Sequence, residues 1–90
     1  MIAKLVCYRL GDISPIARTN LHRELYGYVD NSNNGRYKYR RKGFMENIKY
    51  KKVLDCVIIV NNENSKELVK ILRKYKAKIS VFDVFVKLKF

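Results

Sequence analysis

The run VLDCVIIV, residues 53–60, constrains the fold of this sequence more than any other segment. It is rich in Val and Ile, residues that favour β-structure, and such a run is typical of a strand at the centre of a sheet. A chain of 90 residues has room for one hydrophobic core around such a sheet. We therefore expect a single domain over residues 1–90.

Helix signals occur on both sides of this run. A first helix is predicted over residues 15–26, because Ser14 precedes Pro15 and the pair is a typical helix start. A second helix is predicted to follow Asn64 and to run to about residue 76, because the spacing of Asn64 and Glu67 resembles a capping box with Asn64 as the N-cap. Both segments repeat apolar residues at helical spacing, so each should cover one face of a sheet.

Three further strands are predicted, at residues 2–10, 36–42 and 77–90. The element order is then strand, helix, strand, strand, helix, strand. This order predicts an α+β fold of the ferredoxin-like, split βαβ (βαββαβ) type, with both helices on one face of an antiparallel sheet. The first and third strands would be central, which places Cys7 and Cys56 on neighbouring strands. We expect two reduced, buried thiols, and a disulfide is the alternative.

The basic stretch RYKYRRKGFMENIKYKK, residues 36–52, indicates what the chain binds. It contains eight of the twenty Lys and Arg residues and one acid, Glu46, in a chain of net charge +12. Tyrosines and Phe44 are interspersed among these cations. Cations mixed with aromatic rings favour a polyanionic partner, with nucleic acid first and an acidic protein or an anionic membrane surface second.

Alternation along residues 36–42 separates two rows of side chains. Arg36, Lys38, Arg40 and Lys42 form one row, and Tyr37, Tyr39 and Arg41 form the other. Burying unpaired cations costs far more than exposing tyrosines, so we expect the cationic row in solvent, with Tyr37 and Tyr39 mostly under the helices. The alternative is that the strand extends past the helices at the sheet edge, which would leave both rows accessible. Residues 44–52 are predicted as a long loop or an irregular extension of the strand.

The function that follows is binding of DNA or RNA through the phosphate backbone, by a cationic strand and the loop after it. Tyr39 or Tyr50 would add stacking on bases. The alternative is an edge strand whose charges only prevent edge-to-edge pairing. The predicted binding residues are Arg36, Lys38, Tyr39, Arg40, Arg41, Lys42, Lys49, Tyr50, Lys51 and Lys52.

Catalysis is the main rival prediction. His22, beside Arg18 and Arg23, has the chemistry of a general base for metal-independent RNA cleavage. Asp12 and Asp30 would instead bind magnesium if a symmetric dimer brought them together. The sequence contains no Gly-rich phosphate loop, zinc-ligand spacing or Ser-His-Asp set, so we expect no cofactor and favour binding over catalysis, with a small nuclease as the open alternative. A third alternative is a basic protein–protein interaction module.

The predicted assembly is a homodimer. Ile79, Val81 and Phe85 share one face of the last predicted strand, and an open sheet face carrying them would be covered by a second subunit. The first ten residues lack the features of a signal peptide, and the apolar run 56–60 is too short to cross a bilayer. We therefore expect a cytoplasmic protein without a membrane partner.

Overall fold

The computed structural model of the protein describes residues 2–32 and 35–87 and shows an α+β fold. In these residues the elements follow one another as β1 (Ile2–Arg9), α1 (Pro15–Tyr26), β2 (Tyr28–Ser32), β3 (Tyr37–Arg41), a short 3-10 turn (Phe44–Asn47), β4 (Tyr50–Leu54), β5 (Val57–Val60), α2 (Asn62–Lys74) and β6 (Lys78–Phe85).

The main sheet has four strands in the order β4-β5-β1-β6, and every neighbouring pair is antiparallel. Val6 of β1 lies opposite Ile58 of β5 on one side and Val81 of β6 on the other. The prediction that the first strand pairs with the Val- and Ile-rich strand at the centre of the sheet is confirmed. The chain also contains a second, two-stranded sheet formed by β2 and β3.

Two strand predictions are wrong. Residues 53–60 are divided between β4 and β5, which are joined by a tight turn in which Cys56 has a φ of 66°. Residues 36–42 do not enter the main sheet, because they pair only with β2 in the hairpin. Their place at the sheet edge is taken by β4, which begins inside the predicted loop of residues 44–52.

The core lies between the sheet and both helices. Val6 and Ile58 are fully buried, and leucines from both helices pack against them. The 3-10 turn contributes Met45, which is also buried. The complete buried cluster is Val6, Leu21, Leu25, Met45, Ile58, Val60, Leu68 and Leu72. Burial of aliphatic side chains of this size stabilises the fold by about 1.5–3 kcal/mol each.

The opposite face of the sheet has no helix over it in the described residues. Leu5, Ile59 and Phe82 lie side by side there, and Phe82 is 56% exposed. The predicted apolar residues of this face were Ile79, Val81 and Phe85, and that assignment is wrong. By register Ile79 and Val81 lie opposite Tyr8 and Val6, on the side that the helices cover. The homodimer stays a prediction.

The cysteines are free thiols, as predicted, but each is only half-buried. Cys7 is on β1, opposite Val57, which is the first residue of β5. Cys56 therefore lies in the turn before β5 and not on the strand that pairs with β1. Its place in the turn, where the chain reverses, keeps it from the interior of the sheet.

Helix α1 begins at Pro15 as predicted, and the hydroxyl of Ser14 accepts a hydrogen bond of 3.1 Å from the amide of Ala17. Helix α2 begins three residues earlier than predicted. Its N-cap is Asn61, whose side-chain oxygen accepts from the Asn64 amide at 2.7 Å. Asn64 is therefore the donor at the third position of the helix and not its cap.

This difference is testable by substitution of the two asparagines. We expect Asn61→Ala to lower the free energy of unfolding by about 1 kcal/mol, because the α2 N-terminus loses its side-chain acceptor. Asn64→Ala should have a smaller effect, since the Asn64 amide that donates to the cap is retained. Urea unfolding followed by circular dichroism measures both values. Equal losses in the two variants would contradict the assignment of Asn61 as the cap.

Candidate functional site

The β2–β3 hairpin carries much of the predicted binding stretch. All five residues of β3 are exposed, and their partners in register run from Tyr28 opposite Arg41 to Ser32 opposite Tyr37. The prediction that Tyr37 and Tyr39 lie under the helices is wrong, since the two residues are 52% and 51% exposed. The β3 side chains are exposed on both faces of the hairpin, while Arg23 of α1 lies against the Tyr28 ring on β2.

The chain enters and leaves the hairpin at two glycines that touch each other. Gly27 has a φ of 79°, which favours glycine, and a β-carbon there would lie 2.8 Å from the Gly43 nitrogen and would overlap the Arg41 carbonyl. A β-carbon on Gly43 would overlap the backbone of Gly27 and Leu25. The hairpin base therefore requires glycine at both positions.

The guanidinium of Arg40 links the segments that meet at the base of the hairpin. Its Nη1 donates to the carbonyls of Tyr28, at 3.3 Å, and Arg41, at 2.6 Å. Its Nη2 donates to the Tyr26 carbonyl, at 3.3 Å, and to the Glu46 carboxylate. Arg40 was predicted to contact phosphate, but here its donors are used by the protein itself. Its position between α1, the hairpin and the 3-10 turn gives it a structural role.

Two other predicted cations have acidic partners. Arg41 is 3.2 Å from Asp30, and Lys52 is 3.2 Å from Asp55. Both pairs are exposed, and such pairs contribute at most about 1 kcal/mol. A phosphate could therefore replace the carboxylate at modest cost, unlike at Arg40, where four acceptors would have to be given up.

The remaining predicted cations are free for a ligand. In residues 2–32 and 35–87, no ion pair joins these side chains to a carboxylate, and all are exposed: Arg36, Lys38, Lys42, Lys49 and Lys51. Three of them belong to the hairpin and its ends, and two lie at the β4 edge of the main sheet. These five side chains form the free cationic surface of the site.

The two predicted stacking tyrosines differ. Tyr39 is half exposed on the hairpin, and the Arg41 guanidinium carbon lies 6.0 Å from its ring centroid. Tyr50 lies opposite Val60 and packs against the core, so its ring is not an exposed platform. Tyr37, which was not among the predicted binding residues, has the same exposure as Tyr39 and shares its face.

Beside the hairpin base lies a cleft of about 200 Å³ between α1, the end of β1 and the β4–β5 turn. His22, a predicted catalytic candidate, lines it together with Tyr26, and their ring centroids are 5.0 Å apart. The Lys52 ammonium lies 5.5 Å from the Tyr26 ring centroid. Tyr8, Arg18 and Asp55 complete the polar lining. These residues come from three separate segments of the chain, so their spacing in the sequence did not predict that they lie together.

Burial in this cleft changes the acidity of two phenols. Desolvation raises the pKa of Tyr8, and the neighbouring Cys56 raises it further. Desolvation also raises the pKa of Tyr26, although the Lys52 ammonium partly opposes the change. Both hydroxyls therefore keep their protons to a higher pH than an exposed tyrosine does, and at neutral pH they can donate hydrogen bonds as any phenol can.

The acidic residues do not form a metal site in the part of the chain that the structure describes. No group of three or more His, Cys, Asp or Glu side chains there could hold a metal ion. Asp30 accepts hydrogen bonds from Arg41, and Asp12 is exposed in the bend after β1. Cleavage by His22, or by an aspartate-bound metal in a dimer, stays a prediction.

Comparison of the chain with protein-family models, with curated proteins and with solved structures gave no match. Within the described ranges, neither helix combines the length and the apolar character that crossing a membrane requires. The function is therefore inferred from the chemistry of the hairpin and the cleft.

The cleft tyrosines should make the fold sensitive to high pH. Because the folded-state pKa is raised, the folded protein retains a proton that the unfolded chain loses above about pH 10. Stability is thus unaffected by these groups below pH 10 and falls as the pH rises further. We expect Tyr26→Phe to make this fall less steep, as measured by urea unfolding between pH 9 and about 11. Tyr39→Phe, at an exposed ring, is the control, and an identical pH dependence in both variants would contradict the assignment.

Proposed function

We propose that this protein binds nucleic acid and that the β2–β3 hairpin is its principal contact. The observation that carries the proposal is the exposure of every β3 side chain, with Lys38 on one face and the rings of Tyr37 and Tyr39 on the other. Arg36, Lys38 and Lys42 would contact phosphates, since none is paired to a carboxylate within the described residues. Arg41 would exchange Asp30 for a phosphate oxygen.

The shape of the hairpin suits a nucleic-acid groove. A two-stranded β-ribbon is narrow enough to enter the major groove of B-form DNA. On a single strand, Tyr37 and Tyr39 would instead stack on bases, at about 1–3 kcal/mol for each stacked base. The surplus of positive charge, +12 over 90 residues, adds attraction toward any polyphosphate. Lys49 and Lys51, on the β4 edge, would extend the contact.

The salt dependence of binding tests this proposal. Replacing Lys38 and Lys42 together by alanine should weaken binding to duplex DNA and make the slope of log K against log salt shallower by about 1.8, because two phosphate contacts are lost. Fluorescence anisotropy over a series of salt concentrations gives both quantities. The matched control replaces Lys66 and Lys70, two exposed lysines of α2, and removes the same charge. Equal effects in the two double variants would show that net charge alone attracts the ligand.

We also propose that the domain is a ferredoxin-like fold with an inserted hairpin. The order β4-β5-β1-β6 supports this, if β4 is counted as the second strand of the split βαβ unit and β2–β3 as an insertion after α1. The contact between Gly27 and Gly43 supports it further, since the two ends of the insertion meet.

Deletion of the hairpin separates fold from function. A variant in which Gly27 is joined directly to Gly43 should retain the far-UV circular dichroism of the α/β body and unfold cooperatively, because the buried core lies outside the hairpin. It should lose most of its affinity for nucleic acid. A deletion variant that is unfolded would contradict the insertion, and a folded variant with unchanged affinity would contradict the role of the hairpin.

A further inference from the structure

We propose that the cleft beside the hairpin base holds one unpaired nucleotide, with its base against Tyr26 and His22 and its phosphate at Arg18 and Lys52. This inference rests on the proposed nucleic-acid binding and specifies a second site for the same ligand. It assigns a role to His22 that requires no catalysis.

The size and lining of the cleft favour a single base. Its volume of about 200 Å³ is smaller than the roughly 300–1,000 Å³ of pockets that take drug-sized ligands. Leu10, Leu21 and Leu25 supply apolar walls, and the cleft is open to solvent on one side. A flat heteroaromatic ring can therefore be covered while the sugar and phosphate remain connected to a longer strand.

The aromatic rings supply a stacking surface. His22 and Tyr26 are inclined at 46° with their centroids 5.0 Å apart, so a base lying on one ring also meets the edge of the other. Every base has a π-face, and stacking of this kind is therefore tolerant of sequence. The hydroxyls of Tyr8 and Tyr26, which both line the cleft, would donate to acceptors on the base edge.

The charges at the rim favour a single phosphate. Arg18 donates one hydrogen bond, of 3.1 Å, to the Gly11 carbonyl, and a guanidinium has five N–H groups, so others remain for an anion. Lys52 is paired with Asp55, whose side chain is 97% exposed and weakly held. Two cations and one carboxylate leave the rim with a net charge of +1 when His22 is neutral.

The cleft and the hairpin are placed to contact the same strand. The ring of Tyr26 lines the cleft, while its carbonyl accepts from Arg40 at the hairpin base. Gly27 then leads directly into β2, and Arg23 of α1 lies 4.6 Å from the Tyr28 ring centroid. Only Gly27 separates the cleft residue Tyr26 from the start of β2, so one nucleic-acid strand bound at the hairpin base would also meet the cleft.

Titration with adenosine 5′-monophosphate, monitored by amide and side-chain NMR shifts, tests the proposal on the intact protein. We expect saturable shifts at Arg18, His22, Tyr26 and Lys52, and weaker binding of adenosine alone and of inorganic phosphate alone. His22→Ala and Arg18→Gln should each reduce affinity by about fivefold or more, as expected for loss of one stacking or charged contact. Asn20→Ala, an exposed position on the same helix outside the cleft, is the control and should bind as the wild type does.

Several outcomes overturn the inference. It fails if the mononucleotide gives no shifts at millimolar concentration, if the shifts occur only in the hairpin, or if N-acetyltyrosinamide binds the cleft more tightly than the nucleotide. The double variant at Lys38 and Lys42 distinguishes this failure from that of the proposed function. If the protein binds polynucleotides but not the mononucleotide, only the cleft inference is wrong. If it binds the mononucleotide but not polynucleotides, the cleft inference is supported and the proposed role of the hairpin is wrong.

Discussion

The contact between Gly27 and Gly43, which the Arg40 guanidinium braces, is the feature on which the position of the β2–β3 hairpin depends. It brings the end of α1 and the start of the 3-10 turn together, so that the chain between them can leave the domain and return. The radius of gyration, 14.7 Å, exceeds the value of about 12 Å typical of a compact chain of this length, consistent with an extended hairpin. Without this contact the two ends of the β2–β3 hairpin would not meet, and the basic strand β3 would not project from the domain as part of a hairpin.

Elements with a local, periodic sequence signal could be predicted, whereas the pairing partners of the strands were harder to predict. The start of α1 follows from Ser14 and Pro15, and the central place of β5 follows from its Val and Ile content. The partner of β3 did not follow, because β2 combines Tyr, Val, Asp, Asn and Ser without a clear alternation. Residues 36–42 contain no aliphatic side chain, and the alternation of Tyr37 and Tyr39 suited a strand of the main sheet as well as a separate hairpin, so the pattern could not show which one forms.

The candidate site shows the same division between composition and three-dimensional placement. The excess of cations in residues 36–52 was evident, but Lys38 and Arg40 occupy equivalent positions in the alternation and have different surroundings. Only the fold places Glu46 and three backbone carbonyls around Arg40. The cleft could not be predicted either, since Tyr8, His22 and Lys52 come from segments far apart in the chain.

The elongated shape also makes a highly charged chain tolerable. The molecule measures 48 × 31 × 20 Å, whereas the Debye length is about 8 Å at physiological ionic strength. Cations on the hairpin therefore repel those at the far end of the domain only weakly. Within the hairpin, Asp30 of β2 pairs with Arg41, and at its base Glu46 of the 3-10 turn pairs with Arg40. Lys38 and Lys42, which have no acidic partner in the described residues, still repel the neighbouring cations. A polyphosphate that binds them would reduce this repulsion and favour the folded state by mass action.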